Sequence, residues 1–200
     1  MSQAELLARM VRHLNGAGIP HMVVGSLASS FHAEPRTTRD IDLVIDPTAD
    51  ALRRFVEALP ASDFYVDMGA AREAFDRRSS FNVVELESGW KVDLMMRRDR
   101  PFSREEMDRR IAVRLLGTDT HVATAEDTII AKLEWAKVGA SERQLQDIAG
   151  ILWASDALDS AYIERWVSAL DLADVWERAQ RLTATARVVD PGGVMPERGR

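Results

Sequence analysis

The chain contains no cysteine. Disulfides, thiolate zinc sites and catalysis by a nucleophilic thiol are therefore excluded, while the redox compartment stays open. No apolar run approaches the about 18 residues that a membrane-spanning helix needs. The first residues, Met-Ser-Gln-Ala-Glu, lack the basic start and apolar run of a signal peptide. We expect a cytoplasmic protein that does not contact a membrane.

The chain also has few histidines and fewer basic than acidic residues. The chain has 26 Lys and Arg against 32 Asp and Glu, a formal net charge of -6. Broad binding of a nucleic acid by charge alone is excluded, so an RNA contact would need a local basic patch. The four histidines are scattered and lack the spacing of a zinc site. A hydrophobic content of 46% is sufficient for a real core.

The periodicity of apolar residues divides the 200-residue chain into two parts. Short strands and helices alternate over residues 1–123, and the pattern is helical over residues 124–184. Glycines, prolines and charges over residues 185–200 predict a disordered tail. We therefore predict an α+β fold, with an α/β core of a short mixed sheet and flanking helices over residues 1–123, followed by a C-terminal helical bundle.

Capping residues predict several helix boundaries. Asn15-Gly16 is expected to end the first helix. Asp46-Pro47 is expected to begin a helix, with the aspartate as its N-cap. Ser141 with Gln144 is expected to cap a helix in the second part of the chain.

Three carboxylates occupy strand positions that can form one site. Asp40 and Asp42 lie two residues apart on a strand of strict alternation, so both side chains project from the same face. Asp93 lies on a second strand, on the face opposite to its apolar neighbours. If these strands are adjacent, the three negative charges converge and require a cation. Mg²⁺, or Mn²⁺, suits such oxygen ligands and can clamp phosphate oxygens in a phosphoryl displacement.

A possible phosphate-binding turn precedes these aspartates. The strand ending at Val24 runs into Gly25 and Ser26, and a short helix follows at once. Glycine permits close approach of a ligand, and the helix N-terminus offers free N–H groups to phosphate. The Ser26 hydroxyl adds a further donor. A plain turn is the alternative interpretation of this dipeptide.

The spacing of these motifs resembles a known family. Val24-Gly25-Ser26, thirteen further residues and then Asp40-Ile41-Asp42-Leu43 resemble the signature of polymerase-β-like nucleotidyltransferases. Val92-Asp93-Leu94 is similar to the setting of that family's third carboxylate. The chain resembles, over about residues 20–150, the bacterial minimal nucleotidyltransferases and above all the AbiEii-type proteins of toxin–antitoxin systems.

The resemblance implies a role for each residue of the two motifs. Asp40 and Asp42 would bind the metal ions, and Asp93 would complete the metal site or act as the base toward an acceptor hydroxyl. Gly25 and Ser26 would hold the triphosphate.

The family also has a later helical motif of Lys, Arg and Asp, for which Lys132, Arg143 and Asp147 are the candidates. Lys132 would be the cationic partner of the triphosphate, although a helical lysine is usually solvated. Arg143 and Asp147 would help to bind the nucleotide, or would simply pair with each other four residues apart. Arg36 and Arg39 flank the carboxylates and either contact phosphate or balance the aspartates; Arg39 is taken as a nucleotide-binding candidate.

By this resemblance, the reaction transfers a nucleoside monophosphate from an NTP such as ATP or GTP to a hydroxyl and releases pyrophosphate. RNA or tRNA ends, proteins and small molecules are the acceptors, and a toxin role implies a cognate antitoxin. A catalytically inactive module that binds a nucleotide or a partner is the alternative. An RNA acceptor would dock on a basic cluster that comprises Arg97, Arg98, Arg100, Arg109, Arg110 and Arg114. The acidic residues Asp99, Glu105, Glu106 and Asp108 are interleaved with this cluster, so a solvated charged face is the alternative interpretation.

Overall fold

The computed structural model describes residues 1–33, 40–139, 141–155 and 157–189, with side chains as far as residue 184. The sequence predicts a polar turn over residues 34–39, and this segment lies outside the described residues. The helices of the described part are α1 (Gln3–Ala17), α2 (Gly25–His32), α3 (Ala49–Ala58), α4 (Met68–Arg77), α5 (Pro101–Arg109), α6 (Ala125–Gly139), α7 (Glu142–Ala154), α8 (Ser160–Ala169) and α9 (Ala173–Val189).

A mixed β-sheet organises the first part of the chain. Its strands are β1 (His21–Val23), β2 (Ile41–Ile45), β3 (Phe64–Tyr65), β4 (Ser80–Glu85), β5 (Lys91–Met96), β6 (Ile111–Leu115) and β7 (Thr118–Val122). Their order is β3-β4-β5-β2-β1-β7-β6. The pairs β2–β5 and β1–β7 are parallel, and the other pairs are antiparallel. The three strands next to the predicted motifs, β5, β2 and β1, are therefore adjacent in the centre of the sheet.

Alternation along β2 separates the core from the site. Ile41, Leu43 and Ile45 are fully buried and belong to the main apolar cluster, together with side chains of α1, α3 and α4. Asp42 and Val44 point to the opposite face of the sheet, as the period of two requires. The α+β class predicted from the sequence is confirmed.

A second apolar cluster joins α5 to the C-terminal helices. Phe102 of α5 packs with side chains of α6, α7, α8 and α9, among them Leu133, Ile148 and Trp166. Within the described residues, no helix combines the length and the apolar character needed to cross a membrane.

Two of the expected helix boundaries in the first part of the chain are wrong. Helix α1 continues through Asn15-Gly16, and Gly18 ends it in the left-handed conformation at φ 70°. Thr48, not Asp46, caps α3, because its Oγ1 accepts the Ala51 N–H at 3.2 Å. The Asp46 carboxylate instead accepts the Arg97 Nε–H at 2.8 Å, so it is used in an ion pair between strand ends.

The structure also differs from the sequence-based expectations for β7, α7 and α9. Ser141 occupies the N-cap position of α7, but its side chain makes no capping hydrogen bond. Strand β7 was not predicted, because its residues Thr-Asp-Thr-His are polar; a turn at Leu116 and Gly117, both with positive φ, pairs it with β6. Helix α9 extends to Val189, into the expected tail, and residues 190–200 lie outside the described part.

We expect Leu43→Ala to lower the free energy of unfolding by about 2–5 kcal/mol, because it leaves a cavity beneath the strand that carries Asp42. Leu86→Ala, at a leucine that is 53% exposed, is the control and should change it by no more than about 0.5 kcal/mol. Urea denaturation monitored by circular dichroism measures both. Equal effects of the two variants would contradict this assignment of the core.

Candidate active site

The parallel pairing of β2 and β5 brings two of the predicted carboxylates together. Asp42 and Asp93 are direct register partners on these strands, and both are half-buried. Asp40 is exposed and precedes β2 by one residue, on the side of the strand that carries Asp42. The convergence of Asp42 and Asp93, which the sequence could state only as a condition, is therefore present.

The electrostatics of this pair indicate a deficit of positive charge. Burial raises the pKa of Asp42 to about 6, and the negative charges of Asp93 and Asp40 contribute further. The pKa of Asp93 is raised as well, first by burial and then by the charge of Asp40. A cation between these side chains would relieve both effects.

The described residues contain no group of three or more His, Asp or Glu side chains already arranged as metal ligands. The carboxylates of Asp40, Asp42 and Asp93 repel one another, so they stay apart when no cation lies between them. A protein site for Mg²⁺ usually supplies one or two carboxylates, while substrate phosphates and water complete the shell. The oxygen-only donors of Asp42 and Asp93, with Asp40 beside them, fit that requirement.

The Gly25-Ser26 turn packs directly on the Asp42 carboxylate. Gly25 has φ 63°, and a Cβ atom there would lie only 2.1 Å from Asp42 Oδ2. The backbone N–H of Ser26 donates a hydrogen bond to the same carboxylate and partly offsets the rise in its pKa. The turn therefore positions Asp42, a function that the sequence had not suggested for it.

Lys132 is buried, with an exposed fraction of 4%, and is not solvated on a helix surface. Its Nζ donates to Asp147 Oδ2 at 2.7 Å and to Gln144 Oε1 at 3.0 Å, which connects α6 to α7. Gln144 is thus used here and not in the capping interaction expected for it. The positive charge of Lys132 also lowers the pKa of Asp42, so the lysine lies within electrostatic range of the carboxylates.

The remaining basic candidates are placed less favourably or not described. Arg143 is exposed on α7 and is not among the described residues that line the cleft discussed below. Arg36 and Arg39 lie outside the described residues.

The expected basic docking cluster is largely neutralised by ion pairs. Within the described part of the chain, Arg97 pairs with Asp46, and both terminal nitrogens of Arg100 bind Glu134, at 2.6 and 2.5 Å. Acidic partners also bind Arg109 and Arg114. Such pairing leaves less positive charge for a phosphate backbone than the sequence suggested.

A cleft of about 640 Å³ is lined by Asp42, the register partner of Asp93. Gly25 and Ser26 line it together with Asp42, and Lys132 lines the same cavity from α6. The cleft's volume is in the usual range for a small-molecule site.

The architecture is shared by solved structures of nucleotidyltransferases. The antibiotic-resistance factor ANT(2'')-Ia superposes with a TM-score of 0.56 at 13% identity, over 90% of this chain and 96% of that chain. The lincosamide antibiotic adenylyltransferase LnuA, bound to lincomycin, gives 0.51 at 13% identity, over 78% and 99% of the two chains. An antigenic nucleotidyltransferase-like protein from Paracoccidioides brasiliensis gives 0.51 at 14% identity, over 88% and 91%. The chain has the nucleotidyltransferase fold.

This result confirms the fold expected from the motif spacing. No protein-family model and no curated protein matches the chain, and at identities this low the likeness to solved structures concerns the fold alone.

On this nucleotidyltransferase fold, the cleft has a buried acid that the sequence analysis missed. Glu106 of α5 lines the cleft and is 6% exposed. Burial raises its pKa to about 8, with a further rise from Asp127 and a smaller one from Glu134, against the opposing charges of Arg100 and Arg98. In the sequence, Glu106 looked like part of a solvated charged run. Its spacing of four residues from the buried Phe102 was the available signal.

We expect Gly25→Ala to cost more stability than Gly89→Ala. Both glycines have positive φ, which costs an alanine about 1–2 kcal/mol. Only the new Cβ at residue 25 meets another atom, Asp42 Oδ2, and this adds about 1–3 kcal/mol of overpacking. Urea denaturation of the two variants measures the difference. Equal losses would show that the turn does not pack on Asp42.

We expect Glu106→Gln to be more stable than the wild type at pH 8 and similar to it at pH 4.5. The folded protein holds the Glu106 proton more tightly than the unfolded chain, since its pKa is raised from 4.5 to about 8. The wild type therefore loses stability as pH rises through this window, and the glutamine variant does not have this loss. Thermal denaturation across the window tests this. Glu105→Gln, on the same helix, should keep the wild-type pH dependence.

Proposed function

We propose that this protein is a metal-dependent nucleotidyltransferase that transfers a nucleoside monophosphate from an NTP to an acceptor hydroxyl. The observation that carries the proposal is the carboxylate pair: Asp42, with a pKa of about 6, lies beside Asp93 at a cleft that also contains a buried lysine. Strongly perturbed groups in a cleft are typical of functional sites. The fold shared with nucleotidyltransferases supports the same reaction class.

Asp42 and Asp93, joined by Asp40, are the residues that would hold Mg²⁺ or Mn²⁺. When bound, a divalent cation would neutralise negative charge on the reacting phosphates. Lys132 adds a positive charge on the other wall of the cleft, and Asp147 with Gln144 fixes the position of its Nζ. The Gly25-Ser26 turn holds Asp42 and presents the N-terminus of α2 to the triphosphate. Arg39 and Arg143 remain candidates for further contacts with the nucleotide.

In the proposed step, the acceptor oxygen forms a bond to the α-phosphorus while the bond to the pyrophosphate oxygen breaks. The acceptor proton passes to the Asp93 carboxylate. A carboxylate beside the acceptor hydroxyl can take this proton in the transition state. Lys132 and the α2 N-terminus balance charge as pyrophosphate leaves.

A small molecule is the acceptor class that the site supports best. The cleft has the volume of a small-molecule site, and the ion-paired arginines offer little to a phosphate backbone. LnuA, which has the same fold, is described as a lincosamide antibiotic adenylyltransferase. The AbiEii-type resemblance adds a proposed toxin role with a cognate antitoxin, and RNA or a protein would then be the acceptor. Growth arrest on expression, relieved by a co-expressed partner, would support the toxin role.

We expect Asp93→Asn to lower the rate of pyrophosphate release from NTP and Mg²⁺ by about 10²–10⁴-fold, because it removes the base and one carboxylate of the cation site. Asp42→Asn should be at least as damaging. Asp99→Asn is the matched control, since Asp99 is an exposed aspartate paired with Arg104. The assay combines each NTP with pooled hydroxyl acceptors, namely total RNA, protein extract and aminoglycoside or lincosamide antibiotics.

The same assay separates catalysis from binding. Tight NTP binding by calorimetry without pyrophosphate release would favour the inactive binding module. Release that is identical in the wild type and in Asp42→Asn would exclude this carboxylate pair as the site.

A further inference from the structure

Helix α6 carries two large apolar side chains that the core does not cover. Trp135 is 58% exposed and Val138 is 84% exposed. The other apolar side chains of this helix, such as Ile129 and Leu133, are buried in the C-terminal cluster. Trp135 and Val138 are three residues apart, so they share one face of α6 that points away from that cluster.

This exposed face lines the cleft that Asp42 also lines. Trp135, Val138 and the small residue Ala131 belong to its α6 wall. Val44 and Met95 line the same cavity from the sheet, on the strands that carry Asp42 and Asp93. The lining of the cleft therefore includes an apolar part, formed by the indole of Trp135 and by aliphatic side chains from α6 and the sheet, which we call the apolar compartment; Glu134 and Lys137 also line the cavity.

The position of this compartment relative to Lys132 suggests its occupant. Trp135 follows Lys132 by three residues and Val138 by six, which is about 4.5 Å and 9 Å along the helix axis. When the phosphates of an NTP contact Lys132 and Asp42, the ribose and the base of the same NTP lie beyond the α-phosphate. Trp135 and Val138 therefore line the same cavity as Lys132 and Asp42, within two helical turns of the lysine, where the planar base of the same nucleotide can be accommodated.

We propose that Trp135 is a nucleotide-positioning residue whose indole stacks on the nucleobase of the NTP, with Val138 extending the same surface. This inference rests on the proposed function, because it assigns the base end of the same nucleotide. Every nucleobase has a π-face, so stacking of this kind tolerates all four bases. Strong selection among ATP, GTP, CTP and UTP would therefore have to come from other residues.

The test measures binding of a non-hydrolysable NTP analogue and of inorganic triphosphate, each with Mg²⁺, by calorimetry. Trp135→Ala should weaken binding of the analogue by about 5- to 150-fold, the range for loss of one stacked base. Trp135→Phe should retain most of the affinity, because the ring is conserved. Binding of inorganic triphosphate should be the same in all three proteins, since it has no base. Tyr65→Ala is the matched control, because Tyr65 is also 58% exposed but lies on β3 at the sheet edge.

Three results would overturn the inference. Trp135→Ala could bind the analogue as the wild type does. It could lose affinity for triphosphate equally, which would indicate a structural role. It could raise only the KM of the acceptor, which would place the acceptor and not the base against the indole.

Different experimental outcomes would contradict the proposed function and the stacking inference. Wild-type protein that binds the analogue through Trp135 but never releases pyrophosphate would retain the stacking surface and exclude the transferase. Active protein with an unaffected Trp135→Ala variant would retain the transferase and exclude the stacking. A wild type that binds neither probe would overturn both.

Discussion

The contact of the Asp42 carboxylate with the Gly25-Ser26 turn is the constraint on which the site depends. Only a residue without a side chain fits at position 25, because a Cβ there would overlap Asp42 Oδ2. Asp42 is buried beside the turn, and the backbone N–H of Ser26 compensates for part of the lost hydration. This partial compensation, together with Asp93 in the adjacent strand, leaves the carboxylate short of positive charge. In the proposed function, an incoming cation with its phosphates supplies the missing positive charge.

Lys132 supplies the second half of the site from a different part of the fold. Its buried bonds to Asp147 and Gln144 join α6 to α7, so the apolar packing of the C-terminal helices sets the position of its charge. A buried ion pair is costly to desolvate and is retained where it positions a group. The catalytic proposal thus needs both apolar clusters: one fixes the strands with the carboxylates, and the other fixes the lysine.

Charged residues were the ones that local sequence patterns described least well. Glu106 and Lys132 both looked solvated, yet both are nearly inaccessible. Asp46 looked like a helix cap and is instead an ion-pair partner of Arg97. Helical apolar spacing predicts a core position for Trp135, but this side chain is 58% exposed and lines the cleft. Helical periodicity shows which residues share a face, but it cannot show what that face meets.

The sequence by itself determined that Asp40 and Asp42 share one face of a strand, because side chains alternate with a period of two. It also determined the strand–glycine–helix turn and the α+β class, which depend on local chemistry. Only the tertiary structure decided that Asp93 is the neighbour of Asp42, because parallel strands pair through a long connection whose register no local signal sets. It likewise decided the burial of Lys132 and Glu106, since burial depends on elements distant in the chain that pack around them.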